Sequence, residues 1–120
     1  MKRMMIVVLL ISGCASQYSS VKFTVNESVQ KQIMELYTPH SERSFCISHD
    51  RVYNVLEGGW MSVDMPLCER KDVPVHTHPW WAESFPNFND GWVWEEYTRR
   101  YGNTLFGIIT IGSKLTVYSK

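Results

Sequence analysis

Two histidines one residue apart, His76 and His78, are followed by a carboxylate at Asp90, with Glu42 well upstream. These residue types bind and use a divalent metal. An extended chain sends side chains two apart to the same face, so His76-Thr77-His78 on a strand aims two imidazoles at one point. Zinc in hydrolytic sites takes three protein ligands and leaves a fourth position for water. His76, His78 and Asp90 would supply two nitrogens and one oxygen to a single Zn2+ ion. Bound zinc lowers the pKa of water to about 7, and a carboxylate must then take its proton and pass it to the leaving amine. Glu42 is the candidate base, because it precedes a predicted strand able to run beside the histidine strand. The plainer readings are two surface histidines at a strand end, Asp90 as a helix cap only, and Glu42 as a solvated charge.

The elements around these residues read as follows. Residues 71–77 are β-branched at alternate positions, and Pro79 ends that strand because it lacks an N–H for the ladder. Residues 79–89 form a long irregular segment rich in aromatic residues. Its Trp80, Trp81, Phe85 and Phe88, with Trp92 just beyond, either line a substrate groove or cover the site. Asp90 caps a helix whose stripe is Val93, Trp94, Tyr97 and Tyr101, with Gly102 as its C′ residue. Upstream, Asn26 or Ser28 caps a helix with Val29, Ile33, Leu36 and Tyr37 on one face, stopped before Pro39. Strands are predicted at 44–48 and 51–56 around a His49-Asp50 turn, at 60–65, and as a hairpin of 105–111 with 115–118. His40 and His49 fall in loops and read as surface residues.

The 120 residues suffice for one domain with a modest core. Zero formal net charge leaves no electrostatic footprint for nucleic acid, and the 13% aromatic content argues against disorder. The N-terminal stretch reads as a leader rather than as part of the fold. Lys2 and Arg3 precede a short apolar run and the small residues Ser12 and Gly13. Ile11-Ser12-Gly13-Cys14 resembles a bacterial lipobox, which implies cleavage before Cys14 and its lipidation. Residues 1–13 are then a lipoprotein signal peptide, 14–24 a Ser-rich lipidated tether, and 25–120 the domain. Ala15 after the Cys, with no Asp there, favours the outer membrane by analogy with Gram-negative lipoproteins. Acyl chains at about 0.8 kcal/mol per buried CH₂ anchor such a protein stably. Export leaves Cys46 and Cys68 as an even pair able to bridge in an oxidising compartment; two buried free thiols are the alternative.

The sequence resembles the JAMM/MPN metalloproteases and their short bacterial relatives. The helix of 28–37 leads to Pro39-His40-Ser41-Glu42 and then Phe45-Cys46-Ile47, similar to the family's segment around its catalytic Glu. His76-Thr77-His78-Pro79 matches its histidine motif, and Pro86-Asn87-Phe88-Asn89-Asp90 looks like its Pro-Ser-x-x-Asp. The resemblance runs from about Val29 to Tyr118. It implies a single α/β domain, a mixed sheet flanked by helices in the cytidine-deaminase-like layout, and zinc-dependent hydrolysis of a peptide or isopeptide bond.

Two departures stand out. The interval from His78 to Asp90 is one residue longer than usual in the family. The family's Ser, which helps stabilise the oxyanion, aligns with Asn87, whose amide can also donate. Ser84 is the other candidate for that role, outside the aligned position. The expected substrate is a peptide or protein of the bacterial envelope, reached from the periplasmic face, with the membrane engaged through the lipid anchor. The rival reading is a non-catalytic binding lipoprotein that holds an envelope partner with its aromatic loop. A zinc deaminase is disfavoured, because its Pro-Cys-x-x-Cys element is absent.

Overall fold

The structure is a computed structural model that describes residues 18–59, 63–79 and 88–119. Among these, β1 (Ser19–Val21), α1 (Glu27–Leu36), β2 (Arg43–Ile47), β3 (Val52–Glu57), β4 (Val73–Thr77), α2 (Phe88–Tyr101), β5 (Leu105–Thr110) and β6 (Lys114–Ser119) follow in chain order. The strands make one sheet in the order β1-β6-β5-β4-β2-β3. Two strands joined through a helix can return in the same direction, so β4 and β5, on either side of α2, pair in parallel. The other neighbouring pairs are antiparallel. The result is a small single-domain mixed α/β fold.

Alternation along the strands decides what each face carries. On one face, Phe45 and Ile47 of β2, Val73 and Val75 of β4, Ile109 of β5 and Val117 of β6 pack with Val29 and Ile33 of α1. On the other, Phe106 and Ile108 of β5 meet Trp94 of α2. His76 pairs with Ile108 across the β4–β5 ladder and with Ser44 across the β2–β4 ladder. The alternate residues of β4 therefore put His76 and His78 on the α2 face. All five residues of β4 are buried, as a central strand covered on both sides must be.

Local signals set the helix ends. The Asn26 side chain accepts the Val29 N–H at 2.8 Å and starts α1. Gly102 ends α2 at φ +81°, with its N–H donating to the Thr98 carbonyl at 2.8 Å. A Cβ at Gly102 would also meet the Arg70 guanidinium, the movable end of a long side chain. Backbone strain therefore dominates, and Gly102→Ala is expected to lower the unfolding free energy by about 1 kcal/mol in a denaturant titration.

Cys46 and Cys68, 22 positions apart in sequence, form a disulfide with Cα atoms 5.4 Å apart. It clips the stretch after β3 onto the α2 face of β2. Replacing both cysteines by serine is expected to cost roughly 3 kcal/mol on the chain-entropy argument, read as a lower urea midpoint.

Several expectations change. No strand forms at 63–65, and 60–62 lie outside the described residues. That stretch instead passes over β2, where the Ser44 hydroxyl meets the Asp64 carbonyl and the disulfide follows. Residues 19–21, assigned to the tether, pair with β6 from Ser19–Ser119 to Val21–Val117. Strand pairing uses backbone groups, so a Ser-rich sequence does not prevent it. The inward stripe of α2 excludes Val93 and Tyr101, which are 37% and 43% exposed. It runs through Asp90, Trp94 and Tyr97, spaced i, i+4, i+7, so a carboxylate occupies one turn of the buried face. Cys14, the leader, Trp80, Trp81, Ser84, Phe85 and Asn87 lie outside the described residues.

Candidate metal centre

Glu42 precedes β2, His76 lies on β4 with His78 just past its end, and Asp90 descends from the first turn of α2. The antiparallel register of β2 and β4 pairs Ser44 with His76, and two further residues along the ladder bring Glu42 level with His78. The ladder holds this end firmly. The Arg43 N–H donates to Thr77 Oγ1 at 2.9 Å, and the His78 N–H donates to the Ile109 carbonyl at 2.7 Å. Tyr37 Oη donates to the His78 carbonyl at 3.1 Å, which ties the end of β4 to the chain leaving α1. Glu42 is fixed by its own backbone, which exchanges hydrogen bonds with Gly58 and Gly59 at 2.9 and 2.8 Å.

His76 Nε2 lies 3.0 Å from Asp90 Oδ1, His78 Nε2 lies 3.2 Å from Asp90 Oδ2, and the two Nε2 atoms are 3.0 Å apart. Both imidazoles are buried, at 5% and 2% exposure. With Asp90 ionised, protons alone cannot close this triangle. Whichever tautomers are drawn, one edge sets lone pair against lone pair or proton against proton. A cation accepts from all three corners at once. Asp90 turns a different oxygen to each imidazole, and each of the three contacts is shorter, by up to a few tenths of an ångström, than the ~3.3–3.4 Å between ligand atoms around a tetrahedral zinc ion.

Glu42 completes the group. Its ligating oxygen and the two imidazole nitrogens lie within 4.8 Å of one another. Glu42 Oε2 is buried without a hydrogen-bond partner, a costly state for a carboxylate and one that a cation or a bound polar molecule would relieve. Burial pushes the Glu42 carboxyl above its ordinary range. The two imidazoles pull it part of the way back, and Asp90 adds to the rise. The spacing admits Glu42 as a ligand together with His76 and His78, or as a carboxylate beside the ion. One feature departs from common metal sites: His76 Nδ1 is buried without a partner, where a ligating imidazole usually donates its second N–H.

Asp90 is not the helix cap expected of it. Helix α2 begins at Phe88, so Asp90 sits inside the first turn, where its carboxylate benefits from the helix dipole while turned to the imidazoles. Gly91 follows, and a Cβ there would strike the Tyr18 hydroxyl, so the glycine allows the chain before β1 to lie against this turn. Trp92 is 66% exposed, and it is the one residue of the expected aromatic set whose side chain is described. Candidate oxyanion donors Asn87 and Ser84 lie outside the described residues, as do Trp80, Trp81 and Phe85. His40 and His49 are exposed, and the His49 ring stacks on Phe23 with centroids 4.4 Å apart.

The residue-by-residue reading overlooked Ser44 and Tyr97. Ser44 is a fully buried hydroxyl beside His76, and a lone polar residue in the run Ser44-Phe45-Cys46-Ile47 was the available signal. Tyr97 looked like one more apolar member of a helical stripe, but its hydroxyl makes two backbone hydrogen bonds. Comparison of the chain with protein-family models, with curated proteins and with solved structures returns no match. Among the described residues no helix is long and apolar enough to cross a membrane.

Proposed function

We propose that this chain is a zinc-dependent hydrolase of peptide or isopeptide bonds, of the JAMM/MPN type, working as a lipoprotein in the bacterial envelope. The observation that carries the reading is the mutual contact of His76, His78 and Asp90, with the buried, unpartnered Oε2 of Glu42 beside them. The donor set favours zinc among biological cations, because imidazole nitrogens with one carboxylate suit it better than they suit calcium or magnesium. A bound zinc ion supplies Lewis acidity and a water of lowered pKa.

The chain's own groups do the rest. His76, His78 and Asp90 hold the ion. Glu42 takes a proton from the attacking water and delivers it to the leaving amine, a task for which its place beside both imidazoles suits it. Asn87 or Ser84 donates to the developing oxyanion. The parallel β4–β5 pair with a helix between them is compatible with the cytidine-deaminase-like layout that the family resemblance implies. The Cys46–Cys68 disulfide supports export to an oxidising compartment, in keeping with a leader ending at a lipidated Cys14.

The test is to purify the protein, measure its metal content, and assay release of amines from envelope peptides and peptidoglycan fragments with and without a chelator. One zinc per chain and chelator-sensitive turnover are expected. Stoichiometric zinc without turnover on any of these substrates would favour the binding-lipoprotein reading instead. The exposed Trp92, on the turn that carries Asp90, gives that reading its own support.

A further inference from the structure

Three of the four site residues come from β4 or the strand ends beside it, where the β2–β4 ladder sets their spacing. Asp90 alone comes from a separate layer. Its place depends on how far α2 is slid along its axis and turned about it. Packing of Trp94 on Phe106, with centroids 4.7 Å apart, fixes the distance of the helix from the sheet. Apolar contact is non-directional, so it sets the axial position only loosely.

Asn103, just past the end of α2, donates to the Glu69 and Asp72 carbonyls at 2.7 and 3.0 Å, and within the helix directional contacts come from Tyr97. It lies seven residues after Asp90, two turns on, hence on the same face and about 10 Å further along the axis. Its hydroxyl donates to the Pro66 carbonyl at 2.7 Å and accepts the Cys68 N–H at 2.9 Å. Residues 66 and 68 lie outside the helices and strands, and Cys68 is fastened to Cys46. Cys46 shares its strand and its face with Ser44, next to His76, four residues from Glu42. The connections close a circuit from β2 through the disulfide, residue 68, Tyr97 and α2 to Asp90, and back through the histidines of β4 to β2.

We propose that Tyr97 is a positioning residue for the metal centre, and that with the Cys46–Cys68 disulfide it sets the place of α2 at which Asp90 meets His76 and His78. This rests on the metal reading given above and adds what governs its affinity. Other contacts hold the same stretch, namely Asn54 Nδ2 to the Leu67 carbonyl at 2.6 Å and the Glu69 N–H to Tyr53 Oη at 2.9 Å. Loss of the brace therefore loosens the site without dismantling the fold. Outer-shell partners of metal ligands typically govern 10–100-fold of affinity, and the lower end suits a brace acting through a helix.

The experiment is a competitive zinc titration of the wild type, Tyr97→Phe, the Cys46→Ser/Cys68→Ser pair, and all three changes together. Visible spectra of the cobalt(II) forms report ligand geometry alongside. Tyr97→Phe keeps the ring and its packing, and is expected to weaken zinc about tenfold and shift the cobalt spectrum. The cysteine pair is expected to do the same, and the combination to lose little more, as members of one circuit must. Asn26→Ala, which removes the cap of α1 on the opposite face, serves as the control and is expected to leave zinc affinity unchanged. Wild-type affinity in Tyr97→Phe, a full product of the two losses in the combination, or an equal loss in Asn26→Ala would each overturn the proposal. A wild type that binds no zinc would instead remove the metal reading beneath it.

Discussion

Glu42→Gln is expected to lower hydrolysis by a factor of roughly 10²–10⁴ while zinc stays near one ion per chain. Glutamine keeps the shape of the side chain and a carbonyl oxygen, but it cannot accept and return a proton at neutral pH. The carboxylate is placed for that work: its ligating oxygen lies within 4.8 Å of both imidazole nitrogens, and its Oε2 has no other partner. Two readouts separate its two candidate roles. A base loses turnover and keeps the metal; a ligand loses zinc affinity together with turnover. Wild-type rates in Glu42→Gln would end Glu42's part in the chemistry altogether.

Removal of the cation is the second large effect. At free zinc 1,000-fold above the dissociation constant, linkage adds about 4.1 kcal/mol to folding stability. That increment should appear as a rise in the unfolding temperature when zinc is restored after chelation. In His76→Ala it should vanish, and zinc should no longer co-purify. The buried imidazole leaves a gap whose cost also lowers the metal-free stability, so the informative quantity is the zinc-dependent difference within each variant. An equal zinc-induced rise in the wild type and in His76→Ala would place the ion elsewhere on the chain.

Much of this arrangement was legible in the residues. Asn26 or Ser28 announced the start of α1, and it is the Asn26 side chain that caps it. The alternation of Val73, Val75 and Thr77 with His76 and His78 announced a strand with both imidazoles on one face, since strand period is a local property of the backbone. Positions that depend on other elements were harder. Asp90 looked like a cap because the local sequence Asn89-Asp90-Gly91 suits one, yet α2 starts earlier, at Phe88, and uses the carboxylate on its buried face. The stretch at residues 63–68 looked half like a strand, and the fold spends it on fastening β2 to α2. Ser19–Val21 looked like tether because nothing in three polar-flanked residues signals a partner 98 positions away, though β6 supplies one.

The chain by itself therefore determined the donor types, the common face of the two histidines, the helix boundaries near Asn26 and Gly102, and the even pair of cysteines. Those follow from backbone periodicity and side-chain chemistry within a few residues. Tertiary structure alone decided that α2 lies over the histidine face rather than the α1 face, that Asp90 reaches both imidazoles, that Glu42 stands beside them, and that Tyr97 and the disulfide hold the helix in place. Each of those depends on which strands pair and in what register, a choice made by burial over the whole sheet and invisible in any short stretch of sequence.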